Sequence, residues 1–223
     1  MSEEIAVSTD SGVGTIRIDR PAKKNALTTA MYGAMADALE AFGTDDSVRI
    51  VKILGGADFS AGNDLQDFTG ASASGDTAAF VAVIRFLERL CDFPKPVVAG
   101  VRGNAIGIGT TMLLHAAVAV AATSARFRLP FAQLGLVPEA GSTLLLPLAV
   151  GRMRATWLLL AGDFFGADEA LAMGLVTKTA DDAQVDAAAG EIAARLAALP
   201  AEALRETKRL IREPISDAVR TQM

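Results

Sequence analysis

Apolar and polar positions alternate with two different periods along this chain. Near its start Ile16 and Ile18 flank the charged Arg17, the two-residue period of a strand with one buried face. Residues 5–8 and 15–18 predict a hairpin, because Asp10-Ser11-Gly12 between them has turn chemistry. Pro21 ends the second strand. Beyond Thr28 the period changes: Met31, Met35, Ala38, Leu39 and Phe42 recur at helical spacing, with Thr28 suited to the N-cap. Residues 49–54 form a short β-rich run closed by Gly55-Gly56. The polar, Gly/Ser-rich stretch 69–76 reads as a mobile surface loop leading into an amphipathic helix over 77–90. Pro94 and Pro96 then precede an apolar run at 97–101, the pattern of a buried strand.

Residues 105–122 carry no charge and are almost long enough to span a bilayer. They are mostly small, include Thr110, Thr111 and His115, and divide into a helical part (107–115) and a β-like part (117–121). A buried helix feeding a buried strand is the expectation. A further strand is predicted at 126–129, followed by helices at 141–148, 152–160 and 167–173, the last stopped by Gly174. A terminal strand at 175–177 and amphipathic helices at 181–199 and 201–212 complete the pattern. Strands alternate with helices for two-thirds of the chain and helices finish it, which predicts an α/β core with a helical tail.

Composition narrows the function classes. At 223 residues with 51% hydrophobic side chains, the chain can build a large core without staples. Aromatics are only 5%, so alanine, leucine and valine must fill the interior. Twenty-one basic against twenty-six acidic residues leave a net charge of −5, and with no basic run this argues against nucleic acid as a partner. One cysteine, Cys91, and one histidine, His115, allow no intrachain disulfide and make a zinc site improbable; no metal is expected. Met1-Ser2-Glu3-Glu4 lacks the basic-then-apolar layout of a leader. A soluble, cytoplasmic protein without a membrane span is expected.

Three loops, each after a strand-like run, hold the candidate chemistry. In Phe59-Ser60-Ala61-Gly62-Asn63-Asp64-Leu65, glycine permits a sharp turn and Asp64 can cap a helix starting at Leu65. Such a turn serves either as an ordinary helix cap or as a source of free N–H groups for an oxyanion. The second loop, Gly103-Asn104-Ala105-Ile106-Gly107-Ile108-Gly109-Thr110-Thr111, has neither dinucleotide nor P-loop spacing. Its glycines allow close helix packing, or its helix N-terminus holds developing negative charge. In the third, a lone carboxylate, Glu139, stands between Pro138 and Ala140-Gly141 in an apolar stretch. Burial would make it a base near neutrality; equally it could complement the helix starting at Gly141. His115 on an apolar face reads as a hydrogen-bonded core histidine, and Arg205, Lys208, Arg209 and Arg212 as a solvated helix face.

Together, Arg20-Pro21 with Asn25-Ala26-Leu27, residues 48–54, the Phe59 loop, Lys95-Pro96-Val97-Val98-Ala99-Gly100-Val101-Arg102-Gly103 and Gly174-Leu175-Val176 resemble the crotonase (enoyl-CoA hydratase/isomerase) superfamily. The resemblance covers nearly the whole chain. It implies an α/β fold, a spiral of repeated ββα units over residues 1–180 with a short C-terminal helical region at 181–223. It also implies acyl-CoA thioester substrates, CoA being part of the substrate with no separate cofactor, and a homotrimer or dimer of trimers. The chain stops soon after Arg212-Glu213-Pro214, where further helices are expected in such a family. By position, the two oxyanion donors would be the N–H groups of Asn63 and Ile108. Lys24, Ala26 and Leu27 would line the CoA site with Ala61, Gly62, Asp64 and Leu65, and Gly107, Thr111, Phe131 and Leu134 the reacting end.

Departures from the family pattern bear on the reaction. The resemblance places Thr111 and Phe131 where a hydratase carries its two glutamates. The carboxylate at Glu139 is similar instead to the Δ3,Δ2-enoyl-CoA isomerase branch, with an apolar wall of Phe131 and Leu134 excluding water. That implies conversion of a 3-enoyl-CoA to the trans-2-enoyl-CoA. The alternatives are another crotonase-type acyl-CoA reaction, such as hydration, hydrolysis or dehydration, and a non-catalytic acyl-CoA-binding subunit.

Overall fold

The computed structural model describes residues 2–67 and 78–222. The loop expected at 69–76 and the helix start at Thr77 lie outside the described residues. The hairpin forms as β1 (Ile5–Asp10) and β2 (Val13–Ile18), antiparallel around Ser11 and Gly12. Both turn residues have positive φ, 50° and 81°, as a tight two-residue turn requires. Further strands are β3 (Ile50–Leu54), β4 (Val97–Val101), β5 (Asn104–Ile106), β6 (Val118–Ala122), β7 (Arg126–Arg128), β8 (Phe165–Gly166) and β9 (Lys178–Ala180). They form two sheets, one of order β1-β2-β3-β4-β6-β9 and a smaller one of order β5-β7-β8. From β2 onward the larger sheet is parallel. In the middle of the chain strands pass from the large sheet to the small one before a helix, β4 being followed by β5 and β6 by β7, so the chain advances there as a spiral of ββα turns.

Period two sorts the large sheet's side chains between two cores. Val51 and Ile53, Val97, Ala99 and Val101, and Ala119 and Ala121 face one core. Helices α1 (Thr29–Thr44) and α2 (Ala78–Cys91) cover that side, α1 being capped by the Thr28 side chain as expected. Ile50, Leu54, Val98 and Val120 face the other core, against Ala188, Ala189, Ala193 and Ala197. Covering both faces is why β4 reads as an unbroken apolar run. The uncharged stretch resolves into β5, α3 (Ile108–Thr111), a 3-10 turn (Met112–His115) and β6. No helix among the described residues is long and apolar enough to cross a membrane.

Helices α4 (Ser142–Val150), α5 (Arg152–Ala161) and α6 (Ala167–Ala172) follow the predicted positions. The strand expected at 175–177 forms instead at Lys178–Ala180. Gly174 turns the chain at φ 82° and sends Leu175 and Val176 into the core, so pairing begins only beyond them. In the tail, α7 (Val185–Ala197) lies on the sheet, its alanines permitting close approach, and is followed by α8 (Ala201–Arg212) and α9 (Ser216–Thr221). The solvated face expected on α8 is only half present. Arg205 and Arg209 pair with Glu202 and Glu206 at the surface. Lys208 turns inward to donate to the Lys95 carbonyl (2.7 Å), and Arg212 donates to Cys91 Sγ (3.5 Å). Apolar stems that can lie along protein surface permit both inward placements.

Buried Asn25, at φ 58°, joins the sheet to the first loop. Its side chain accepts from the Arg20 N–H (2.7 Å) and donates to the carbonyls of Ile18 (3.1 Å) and Asp58 (2.7 Å). Asn25→Ala leaves these buried groups unpaired and forces alanine into a left-handed conformation. The expected loss is about 2–4 kcal/mol, read from the chemical denaturation midpoint.

Candidate active site

Ser60 brings the first two loops together. Its N–H donates to the Asn104 carbonyl (2.9 Å) and its own carbonyl accepts from Ile106 N–H (2.9 Å). A Cβ at Gly109 would lie 2.7 Å from the Ser60 carbonyl oxygen, and one at Gly62 3.0 Å from that of Ile106. Glycine is therefore needed on both sides of the seam. Asn63 follows Gly62 on one side, and Ile108 opens α3 after Gly107 (φ 55°) on the other. No described residue accepts from the backbone N–H of Asn63 or of Ile108. Asp64 caps the helical turn after it, accepting from Gln66 N–H (2.9 Å) and Asp67 N–H (3.3 Å), so the loop is a helix cap while leaving the Asn63 donor free.

The segment from Lys24 to Leu27 runs alongside this loop. The Ala61 N–H donates to the Lys24 carbonyl (2.9 Å), Leu27 N–H to Gly62 (2.8 Å) and Asp64 N–H to Leu27 (2.8 Å). Lys24, Ala26, Leu27, Ala61, Gly62 and Asp64 thus form one neighbourhood, with Leu65 exposed at its edge. Asp64 pairs with Arg20 at 2.7 Å, and that bond holds its carboxyl below the usual range.

Glu139 sits otherwise. It makes no cap for α4, whose N-cap is Gly141 without a side-chain bond. Instead its Oε1 accepts from the Thr111 hydroxyl at 2.7 Å, and its Oε2 is buried with no hydrogen-bond partner among the described residues. Burial raises its pKa to about 7, against the pull of the Thr111 bond. Phe131 is buried, whereas Leu134 is 51% exposed on a 3-10 turn (Ala132–Leu134), so the expected two-residue wall is not closed.

A residue absent from the sequence-derived site supplies part of that enclosure. Tyr32, the single tyrosine of the chain, is fully buried on α1 with its ring against Phe86. Its hydroxyl donates to the Asn63 side-chain Oδ1. Burial, and then the nearby Glu139 charge, raises its pKa well above that of an ordinary phenol, so it remains a neutral donor. The available signal was a lone polar-tipped aromatic on the apolar stripe, one position after Met31. His115, by contrast, is the core histidine expected: Nε2–H donates to the Ala140 carbonyl at 2.8 Å, and burial lowers its pKa to about 4.

Known proteins are similar to this chain in sequence and fold. Residues 8–223 match the family described as Enoyl-CoA hydratase/isomerase. The chain is 38% identical over 215 residues to "Enoyl-CoA delta isomerase 2" of Rattus norvegicus, covering 95% of this chain and 55% of that protein. It thus spans about half the length of that relative. It is 33% identical over 228 residues to "1,2-epoxyphenylacetyl-CoA isomerase" of Escherichia coli K12, covering 100% of this chain and 87% of that one. The solved structure of Pseudomonas aeruginosa OdaA superposes with a TM-score of 0.93 at 43% identity, covering 99% of this chain and 89% of that one. The expected crotonase spiral is therefore the fold.

Burial of Glu139 also affects stability. With its folded pKa at about 7, above that of the unfolded chain, the native state holds a proton that the unfolded state has released. Stability then falls as pH rises from about 4.5 to about 7. Glu139→Gln abolishes that fall: its unfolding free energy from urea titration should match wild type near pH 4.5 and exceed it by roughly 3 kcal/mol near pH 8.

Proposed function

The chain belongs to the enoyl-CoA hydratase/isomerase family, and we propose that it converts a 3-enoyl-CoA to the trans-2-enoyl-CoA by a 1,3-proton shuttle. One observation carries this reading: the Glu139 carboxyl is poised near neutrality, with one oxygen held by Thr111 and the other buried without a hydrogen-bond partner among the described residues. Double-bond migration needs one group that takes a proton and returns it elsewhere. A pKa of about 7 suits both halves of that exchange.

In this mechanism Glu139 Oε2 removes a proton from C2 of the thioester. Charge moves onto the thioester oxygen, which the N–H groups of Asn63 and Ile108 receive, each such donor being worth ~3–4 kcal/mol of barrier. The dienolate then takes the proton back at C4, leaving the double bond between C2 and C3 and the carboxylate regenerated. The conversion is redox-neutral, so CoA enters only as part of the substrate. Lys24, Ala26, Leu27 and Ala61, with Asp64-Leu65, would seat its adenine and pantetheine. Gly107 and Phe131 would bound the reacting end.

Hydration by the family's two-carboxylate route would need glutamates where Thr111 and Phe131 stand. The Thr111 hydroxyl is instead committed to Glu139, which supports the single-base reading over the hydratase alternative. Exposed apolar side chains at Val137, Met153, Trp157 and Leu160 support association with further copies of the chain, as a homotrimer or dimer of trimers.

Isomerisation of a 3-enoyl-CoA should fall by about 10³-fold or more in Glu139→Gln. For wild type, kcat/KM should rise about tenfold per pH unit below a midpoint near 7 and level off above it, because the free base must be ionised. Full activity in Glu139→Gln, or hydration of a trans-2-enoyl-CoA without migration, would remove the assignment.

A further inference from the structure

Three contacts from the C-terminal helices converge on the turn that bears Glu139. Ala140 and Gly141 both have positive φ, 57° and 62°. For alanine that conformation is costly and persists only where its surroundings hold it. The Glu139 carbonyl is fixed from within the turn by Ser142, through N–H (3.0 Å) and Oγ (2.6 Å). From outside, buried Val219 of α9 lies where any Cβ at Gly141 would meet it, at 2.9 Å. Thr143 donates to Gln222. The third contact is a relay: Arg212 Nη2 of α8 donates to His115 Nδ1 (3.3 Å), and His115 Nε2–H donates to the Ala140 carbonyl (2.8 Å).

We propose that His115 and Arg212 are positioning residues for Glu139, the relay from α8 through the imidazole to the Ala140 carbonyl holding the strained turn so that the carboxyl stays buried against Thr111. The relay fixes the imidazole tautomer. A carbonyl can only accept, so the proton sits on Nε2 and Nδ1 must accept from the guanidinium. A protonated ring would present a second N–H to the Arg212 cation, and burial keeps the ring neutral at pH 7. Arg212 has no carboxylate partner in a described ion pair, and its Nη1 is buried without a hydrogen-bond partner among the described residues. The side-chain hydrogen bonds its guanidinium makes among the described residues go to Cys91 and His115, beside the Lys208 cation. A guanidinium buried for packing alone would be an expensive choice.

Naming Glu139 as the base rests on the reading above, so the test separates the carboxyl's ionisation from turnover. The ionisation midpoint of Glu139 is read by difference infrared spectroscopy, each protein against the same protein carrying Glu139→Gln. In His115→Leu and in Arg212→Gln the freed turn admits water, and the midpoint should fall by about one pH unit or more from its wild-type value. With a 3-enoyl-CoA, kcat should drop about 10- to 100-fold with KM within about twofold. His115→Gln, whose amide can donate where Nε2–H did, should recover most of both. Arg212→Gln keeps the test open if His115→Leu fails to fold. A midpoint unchanged in the folded variants overturns the positioning role, even if turnover falls. A midpoint that moves in a protein with no isomerase activity upholds the relay and overturns the proposed reaction.

Discussion

Where Gly109 passes Ser60, a Cβ would come within 2.7 Å of the serine carbonyl oxygen, so only a hydrogen atom fits between the two loops. The site's geometry follows from that approach. Ser60 is hydrogen bonded on both sides to the second loop, at Asn104 and Ile106, and so extends the small sheet by one bridged position. The free donors stand three residues after Ser60, at Asn63, and two after Ile106, at Ile108. Neither loop alone carries both donors; the seam fixes the two segments that bear them side by side, which is what the proposed oxyanion role needs.

The backbone of this arrangement was legible in the sequence because it depends on period and punctuation. Near-continuous apolar runs along residues 50–54 and 97–101 report two covered faces, and Thr28 and Asp64 cap where their side-chain chemistry suggests. The strand near residue 176 was misplaced for a physical reason: Leu175 and Val176 have β-like composition, but Gly174 turns them into the core before pairing starts. Local propensity cannot distinguish burial in a sheet from burial beside one.

Side-chain commitments were harder to read. Glu139 could be isolated as a lone carboxylate in an apolar stretch, yet sequence left its partner open between a helix N-terminus and a pocket. Contact with Thr111, 28 positions away, decides it. Tyr32 escaped because a tyrosine at helical spacing packs as an ordinary core residue, and only the three-dimensional placement of its hydroxyl beside Asn63 distinguishes it. Lys208 and Arg212 resembled Arg205 and Arg209 in composition, and only tertiary contacts separate the inward, half-buried pair from the surface-paired one.

That division among four cations on one helix bears on how such a site persists. A carboxyl held at a pKa near 7 is costly to keep in an apolar setting, since the chain gains by rotating it into water. Thr111 restrains one oxygen, but a single hydroxyl bond cannot hold a turn containing a left-handed alanine. The restraint must come from groups fixed elsewhere in the fold. Val219 and the Arg212–His115 pair meet that need from helices anchored on the opposite side of the turn. The destabilising carboxyl and the stabilising tail are thereby coupled, and a loosened tail would first be felt at Glu139 rather than at the donors of the Ser60 seam, which are held by Asn25, Tyr32 and backbone bonds that do not involve the tail.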